Sequence, residues 1–331
     1  MAISNTFEFI GTLKLSSTPV ETRESDSGWV QKSLKAMINE SKNNGMFITL
    51  QGGYSKVKPN KVYTFTKGLF GEKGSMLELN WNERFDQHMV NQISDFKKIV
   101  IDTTSDAEER SRYWDVRKKV GKLERKEGAT QEDKTKLLEL YKELSDVAPE
   151  RKEFLHNFDA VEYIENNISK FDGKRFRLKG EIKVSYWNEK FYTNYEVTSI
   201  ESVLNDEIPN KLEGVIEVYF GKDAIDKTYW NKKTKLFFDT YIKCYDRGHR
   251  KDVLMPYKTV FDGSTFDIEG KHKPYIALLG KIMTAKGKVV NRFPFEIKVV
   301  NGAEEVEFDI NCLNDEQRIM IEAGVTTLDD Y

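Results

Sequence analysis

Arg175-Phe176-Arg177-Leu178-Lys179-Gly180-Glu181-Ile182-Lys183-Val184-Ser185-Tyr186-Trp187 alternates polar and apolar residues from Arg175 to Val184. Successive side chains of a β-strand point to opposite faces, so this period of two reads as a strand. One face receives Phe176, Leu178, Gly180, Ile182 and Val184, a set suited to the core of a small barrel. The other receives Arg175, Arg177, Lys179, Glu181, Lys183, Ser185 and Trp187, which joins an aromatic ring to four cations. Beyond the turn Asn188-Glu189, Lys190, Tyr192 and Asn194 share a face opposite Phe191, Tyr195 and Val197. A hairpin here brings Trp187 and Tyr192 near one another.

Further strands follow on the C-terminal side. Glu213–Phe220, Thr234–Arg247, Val253–Phe261, Pro274–Ala285 and Arg292–Val300 all favour β, and Asn314–Ala323 reads as a short helix. Residues 7–103 also read mostly as strands. Phe7, Phe9, Leu13 and Leu15 recur at period two, and Met46–Gln51, Lys61–Phe70, Met76–Trp81 and Lys97–Thr103 follow between Gly- and Asn-rich turns. Residues 28–40 fit helix or strand equally. Between the β regions, Val116, Val120 and Leu123, then Leu137, Leu138, Leu140, Tyr141 and Leu144, recur at helical spacing with Gly128 between the runs. Thr130-Gln131-Glu132-Asp133 resembles a helix start, and a third helix is expected near Phe158–Asn167. The fold class expected is mainly β with a helical insertion, as tandem OB-fold-like small barrels. The expected domains are 1–103, a first β domain; 104–169, a charged helical spacer; 170–300, a second, basic β domain; and 301–331, an acidic segment. Phe9-Ile10-Gly11-Thr12-Leu13 and Leu178-Lys179-Gly180-Glu181-Ile182 suggest equivalent positions in two similar barrels.

Composition narrows the function. The 331 residues include 40 aromatics, a load that opposes disorder because large apolar groups offset ordering entropy. No apolar run approaches the ~20 residues that span a bilayer, and the first residues lack a signal-type stretch, so a cytoplasmic protein is expected. Cys244 and Cys312 are the only thiols, which excludes a disulfide framework and a thiolate-rich zinc site. Four scattered His residues make a His-based metal cage equally unfavourable, and no cofactor is expected. The net charge of -2 hides a segregation. Residues 170–300 carry 25 Lys and Arg against 18 Asp and Glu, whereas residues 301–331 carry 1 against 9. One surface suited to a polyanion and another kept from it give this layout, as does a basic domain with an acidic element beside it.

The stretch Thr234–Arg247 repeats the mixture of the opening strand. Leu236, Phe238, Ile242 and Cys244 alternate with Lys235, Phe237, Tyr241, Lys243, Tyr245 and Arg247, and Tyr229, Trp230, Lys232 and Lys233 stand just before it. Single-stranded nucleic acid is bound by such faces, because cations follow the phosphates while exposed rings stack on bases. The competing reading makes one of these faces a second core, since Lys and Arg stems also cover aromatic surface. In the N-terminal region Trp29, Lys32, Lys35, Tyr54, Lys56 and Lys58 offer a weaker version of the pattern. There Lys61, Tyr63, Phe65 and Lys67 alternate with Val62, Thr64 and Thr66, and the aromatic face is expected to be core, as are Leu77, Leu79 and Trp81.

The runs Ser27-Gly28-Trp29-Val30, Phe47-Ile48-Thr49-Leu50-Gln51-Gly52-Gly53 and Val62-Tyr63-Thr64-Phe65 resemble the first-barrel pattern of bacteriophage single-stranded-DNA-binding replication proteins. Lys174–Ile200 resembles a second barrel's opening strands, and the end Asp329-Asp330-Tyr331 is similar to acidic tails that recruit replication proteins. The resemblance implies OB-folds and non-enzymatic binding of single-stranded DNA in phage-type replication or recombination. It also implies that residues 301–331 dock other replication proteins or compete with DNA. Two departures mark this chain: the large helical insertion, and an acidic tail that is short and partly helical.

Lys170-Phe171-Asp172-Gly173-Lys174-Arg175 matches the K-x-D-G-x-R of nucleotidyl transferases, and Glu213-Gly214-Val215-Ile216 resembles one of their later motifs. A nucleophilic lysine needs a deprotonated amine on a rigid strand in a deep pocket. Here helix and polar turn precede Lys170, and the interval between the motifs is too short for a transferase core. No Walker-type loop, converging carboxylate set or catalytic triad is evident, so no enzyme is expected. The residues expected to contact nucleic acid are Arg175, Arg177, Lys179, Lys183, Trp187, Lys190, Tyr192, Trp230, Lys232, Lys233, Lys235, Tyr241, Lys243, Tyr245 and Arg247. Asp329, Asp330 and Tyr331 are expected to contact a partner. The alternative is a β-rich phage structural or assembly protein whose aromatic faces bind protein.

Overall fold

A computed structural model describes residues 5–225, 235–262, 292–300 and 303–307. The described elements are β1 (Thr6–Glu24), β2 (Trp29–Asn39), β3 (Gly45–Ile48), β4 (Gln51–Ser55), β5 (Lys61–Phe65), β6 (Met76–Asn80), α1 (Gln87–Gln92), β7 (Ile99–Asp102), α2 (Ala107–Glu124), α3 (Gln131–Val147), β8 (Arg151–Phe154), α4 (Asn157–Asn166), β9 (Arg175–Trp187), β10 (Lys190–Ser202), β11 (Lys211–Ile225), β12 (Lys235–Asp246), β13 (Lys251–Asp262), β14 (Arg292–Val300) and β15 (Ala303–Glu307). The protein is mainly β with a few helices. Among the described residues no helix is long and apolar enough to cross a membrane. Of the ambiguous residues 28–40, Trp29–Asn39 form β2, and its pairing on both sides settles the choice. The strand expected at Pro274–Ala285 and the helix expected at Asn314–Ala323 lie outside the described residues.

The chain divides into two compact units, each assembled from separate segments. The larger comprises Phe9–Gly180 and Glu196–Lys211. In it β2 pairs antiparallel with β1, and its other edge takes β3 and β4 in turn, with Ala36 opposite Ile48 and Gln31 opposite Gly53. A register shift between Leu15 and Val20 interrupts the β1 ladder. The start of β9 joins β1, where the Leu13 N–H donates to the Lys174 carbonyl and the Gly173 N–H to that of Leu13, each at 2.9 Å. The end of β10 runs parallel to β7, which pairs antiparallel with β8. These ladders form open sheets, and a single parallel bridge, Thr49 to Glu196, links the β3–β4 corner to β10. Phe9, Leu13, Ile38, Leu50, Phe176 and Leu178 are buried in this unit. Gly11 has a steric reason, because a Cβ there would stand 2.2 Å from the Asn39 carbonyl oxygen. Gly11 and Gly180 lie on β1 and β9, strands that pair with each other.

The helical insertion of this unit follows its sequence signals. The Asp106 carboxylate caps α2, accepting from Glu108 and Glu109 N–H at 2.7 and 3.2 Å. Thr130 and Asp133 form a reciprocal capping box on α3, satisfying backbone donors that the first turn leaves unpaired. Val116 and Val120 of α2 pack against Leu137, Leu140 and Tyr141 of α3. Burial opposes the charge of Glu124, yet Lys67 and Arg117 hold its carboxyl below the usual range. It accepts from both, at 2.9 and 3.0 Å, and from the Tyr141 hydroxyl at 2.8 Å. The separate β5–β6 sheet packs Val62 and Leu79 with Val90, Ile93 and Leu155, and Leu77 and Trp81 rest on this cluster.

The second unit comprises Met1–Glu8, Glu181–Tyr195 and Leu212–Tyr331. Within it β12 pairs antiparallel with β13 along its whole length, and β11 with β14. The strand β15, in the acidic segment where the sequence offered no strand signal, lies antiparallel to β14 with Glu305 opposite Lys298. The end of β9 runs parallel to β12, with Ser185 beside Tyr245. Phe7 meets Tyr195 edge-on at 5.4 Å, and Ile182, Val184, Ile216 and Ile242 are buried.

Candidate nucleic-acid interface

The alternation of β9 is expressed in burial. Phe176, Leu178, Gly180, Ile182 and Val184 are buried, whereas Lys179, Glu181, Lys183 and Trp187 are exposed. Ser185 departs from its neighbours and is buried, beside β12.

In the larger unit, Arg175 works as a splint. Its guanidinium donates to Asn210 Oδ1 at 2.9 Å, to the Asn205 carbonyl at 3.1 Å and to the Ile208 carbonyl. Those bonds hold the loop between β10 and β11 and direct the side chain away from solvent. Arg177 is half-buried, and its Nε lacks a hydrogen-bond partner.

In the second unit the strands bring most of the remaining candidates to one face. Trp187, Tyr192, Tyr241 and Tyr245 are 43%, 40%, 41% and 45% exposed, while Ile242 and Cys244 on the opposite face of β12 are buried. Lys183, Lys190, Lys243 and Arg247 are exposed among them. Lys183 lies 3.8 Å from Glu181, and Lys243 pairs with Asp252 at 2.9 Å. The Arg247 N–H donates to the Tyr186 carbonyl at 3.1 Å, which sets the β12 turn against the tip of β9. The Arg247 guanidinium then stands over the Tyr192 ring, 5.3 Å from its centre. Trp187 lies against the same turn, since a Cβ on Gly248 would be 3.8 Å from its ring. Lys235 begins β12 opposite Asp262. Trp230, Lys232, Lys233, Asp329, Asp330 and Tyr331 lie outside the described residues.

Sequence reasoning gave no role to Asp246, His249 and Arg250, which belong to the β12–β13 turn. The signal available was Asp246-Arg247-Gly248, an acid two residues before a glycine, which is a side-chain-stabilised turn pattern. The expectation for residues 61–67 is corrected: Val62 and Thr64 are buried, and Tyr63 on the aromatic face is 67% exposed. The short β5–β6 sheet has a core on one side only, and its small residues took that side. Trp81 and Leu77 do pack against that core, as expected.

The transferase-like motif serves the fold. The Lys170 ammonium meets Glu150 at 2.5 Å, and this bond raises its pKa, the reverse of what a nucleophilic amine needs. Phe171 is fully buried, and Asp172 Oδ1 accepts from the Leu15 N–H at 3.0 Å. Gly214 fills a tight place, since a Cβ there would stand 2.9 Å from both the Thr6 carbonyl and the Ile182 side chain.

No protein-family model matches the chain, and no curated protein matches it in sequence.

Proposed function

We propose that this chain binds single-stranded DNA without sequence preference, as a non-enzymatic protein of phage-type replication or recombination. The observation that carries the reading is the β9–β10–β12 face, where four half-exposed rings stand among Lys183, Lys190, Lys243 and Arg247. Rings of this kind contribute roughly 1–3 kcal/mol per stacked base whatever the base, and cations supply salt-dependent phosphate contacts. A duplex hides its base faces, so the same surface favours the single strand. The tandem OB-type arrangement belongs to this proposal. Its support in the larger unit is the pairing order β2, β1, β9, β10 together with the Thr49–Glu196 bridge, which leads from the far edge back to β10. The acidic segment 301–331 would dock a replication partner or compete for the DNA face, since its charge opposes that of residues 170–300.

A second reading, an assembly protein that binds protein, has one observation in its favour. Tyr63 and Met76 are exposed on the β5–β6 sheet, and Phe65 there rests on the exposed Phe96 with ring centres 5.8 Å apart. Fluorescence anisotropy of a labelled oligo-dT separates the two readings. Binding that weakens by an order of magnitude or more between about 50 and 200 mM salt, with duplex bound more weakly, is the expected result. No binding at low salt by a folded sample, and again after deletion of residues 301–331, overturns the DNA reading.

A further inference from the structure

We infer that Asp246 and His249 are positioning residues of the β9–β10–β12 face: His249 occupies the Asp246 carboxylate, and the adjacent Arg247 guanidinium is thereby left for an anionic strand. This inference rests on the nucleic-acid reading above and adds a device to it. Asp246-Arg247-Gly248-His249-Arg250 forms the turn from β12 to β13. An aspartate next to an arginine at the mouth of an anion site is a chemical conflict, because its carboxylate competes with phosphate for the guanidinium.

The turn removes that competitor. Asp246 Oδ1 accepts from the Gly248 N–H at 2.8 Å and the His249 N–H at 3.2 Å. Oδ2 meets His249 Nδ1 at 2.5 Å. The Asp246 side chain is 14% exposed and that of His249 is 76% exposed. Both oxygens are engaged, and the His249 bond is the main reason the Asp246 carboxyl is held below the usual carboxylate range. Nδ1–H donates in the neutral and in the protonated imidazole, so the arrangement does not require a charged histidine. Among the described residues no carboxylate pairs with Arg247, whose guanidinium stands over Tyr192. Arg247 is exposed. Arg250 and Lys251, also exposed, continue the cationic rim of the turn.

The test uses the full chain and labelled oligo-dT, titrated at several salt concentrations, with the wild type, R247A, H249A, D246N and D246N/H249A. One phosphate contact to a single strand contributes about 0.7 to the slope of log affinity against log salt, which is about fivefold in affinity at 0.1 M. H249A uncovers the carboxylate for Arg247, so it is expected to lose about that much slope and affinity, as R247A does. D246N/H249A is expected to restore both, because a neutral amide does not capture a guanidinium. D246N alone keeps an acceptor oxygen for the turn and is expected to bind at least as well as the wild type. If H249A binds like the wild type, or if D246N fails to rescue it, the inference is overturned; the second result marks a merely structural turn. A folded wild type that binds no oligonucleotide overturns the functional reading and this inference with it, whereas a binding wild type with an indifferent H249A overturns this inference alone.

Discussion

Arg247 and Tyr192 form a cation–π pair across two hairpin tips, the guanidinium 5.3 Å from the ring centre. The pair presets a flat, cationic surface beside Trp187, so stacking and charge can be separated by substitution. Trp187→Ala and Tyr192→Ala are each expected to weaken oligo-dT binding by roughly 1–3 kcal/mol, about 5- to 150-fold. Neither removes a charge, so the dependence on salt should stay nearly parallel to that of the wild type. Lys190→Ala should do the reverse, lowering the slope by about 0.7 with a smaller loss of affinity. Anisotropy titrations over a salt series check all three, and a Trp187→Ala chain that binds normally would remove that ring from the site.

The hairpin that presents Trp187 is strained. Asn188 and Glu189 have φ of 48° and 61°, the left-handed pair that a tight two-residue hairpin turn requires. Asparagine tolerates that region, but glutamate pays roughly 1–2 kcal/mol for it. Glu189→Gly relieves the strain and returns part of the gain through the greater freedom of glycine in the unfolded chain. The expected net effect is a stabilisation of about 0.5–1 kcal/mol, read as a higher urea midpoint at an unchanged slope. The variant also removes an acid from the tip, so oligonucleotide affinity should rise or hold.

These residues show which parts of the chain speak for themselves. The period of β9 is legible because one face meets a core and the other meets water, so burial and sequence carry the same alternation. Arg175 shows the limit of that logic. It lies on the polar face, yet three acceptors of the 204–210 loop claim its guanidinium, and those partners are 30 to 35 residues away. Tyr63 fails for the opposite reason: aromatic residues usually mark the core, but a two-stranded sheet packed on one side gave that side to Val62 and Thr64. The apolar spacing within α2 and the start of α3 were readable, because caps and apolar spacing are local. The strand β15 was hidden by its glutamates, which suit a charged tail as well as a strand paired to β14.

Arg84 and Asp159 test the core of the larger unit. They are 75 residues apart in sequence, almost fully buried, and joined by two hydrogen bonds of 2.8 and 3.1 Å. Trp81 and Phe85 enclose the guanidinium, at 3.7 and 4.0 Å from their ring centres. Removing one partner leaves a buried charge without compensation, so Asp159→Ala is expected to cost about 3–5 kcal/mol. Replacing both with apolar residues of similar volume should recover most of that loss, because desolvation of both ions is then avoided. Urea unfolding of the single and double variants checks this, and a single variant as stable as the wild type would show that water reaches the site.

The capping box of α3 gives the acid response its sign. The Lys126 ammonium, then the Thr130 N–H and hydroxyl, hold the Asp133 carboxyl down from 3.8 to about 2. A group whose pKa is lower folded than unfolded contributes stability that is present above its unfolded value and lost as pH falls through its folded value. The contribution of Asp133 should therefore be complete above pH 4 and fade between about pH 4 and pH 2. Asp133→Asn removes this one component, so the stability difference between variant and wild type should shrink steadily across that window. Thr130→Ala removes the other half of the box and should cost about 1 kcal/mol near neutral pH, where the carboxylate alone remains to cap the helix. Thermal melts followed by helical ellipticity from pH 2 to 6 measure both effects, and a variant difference that stays constant with pH would show that the carboxylate does not titrate as its partners require.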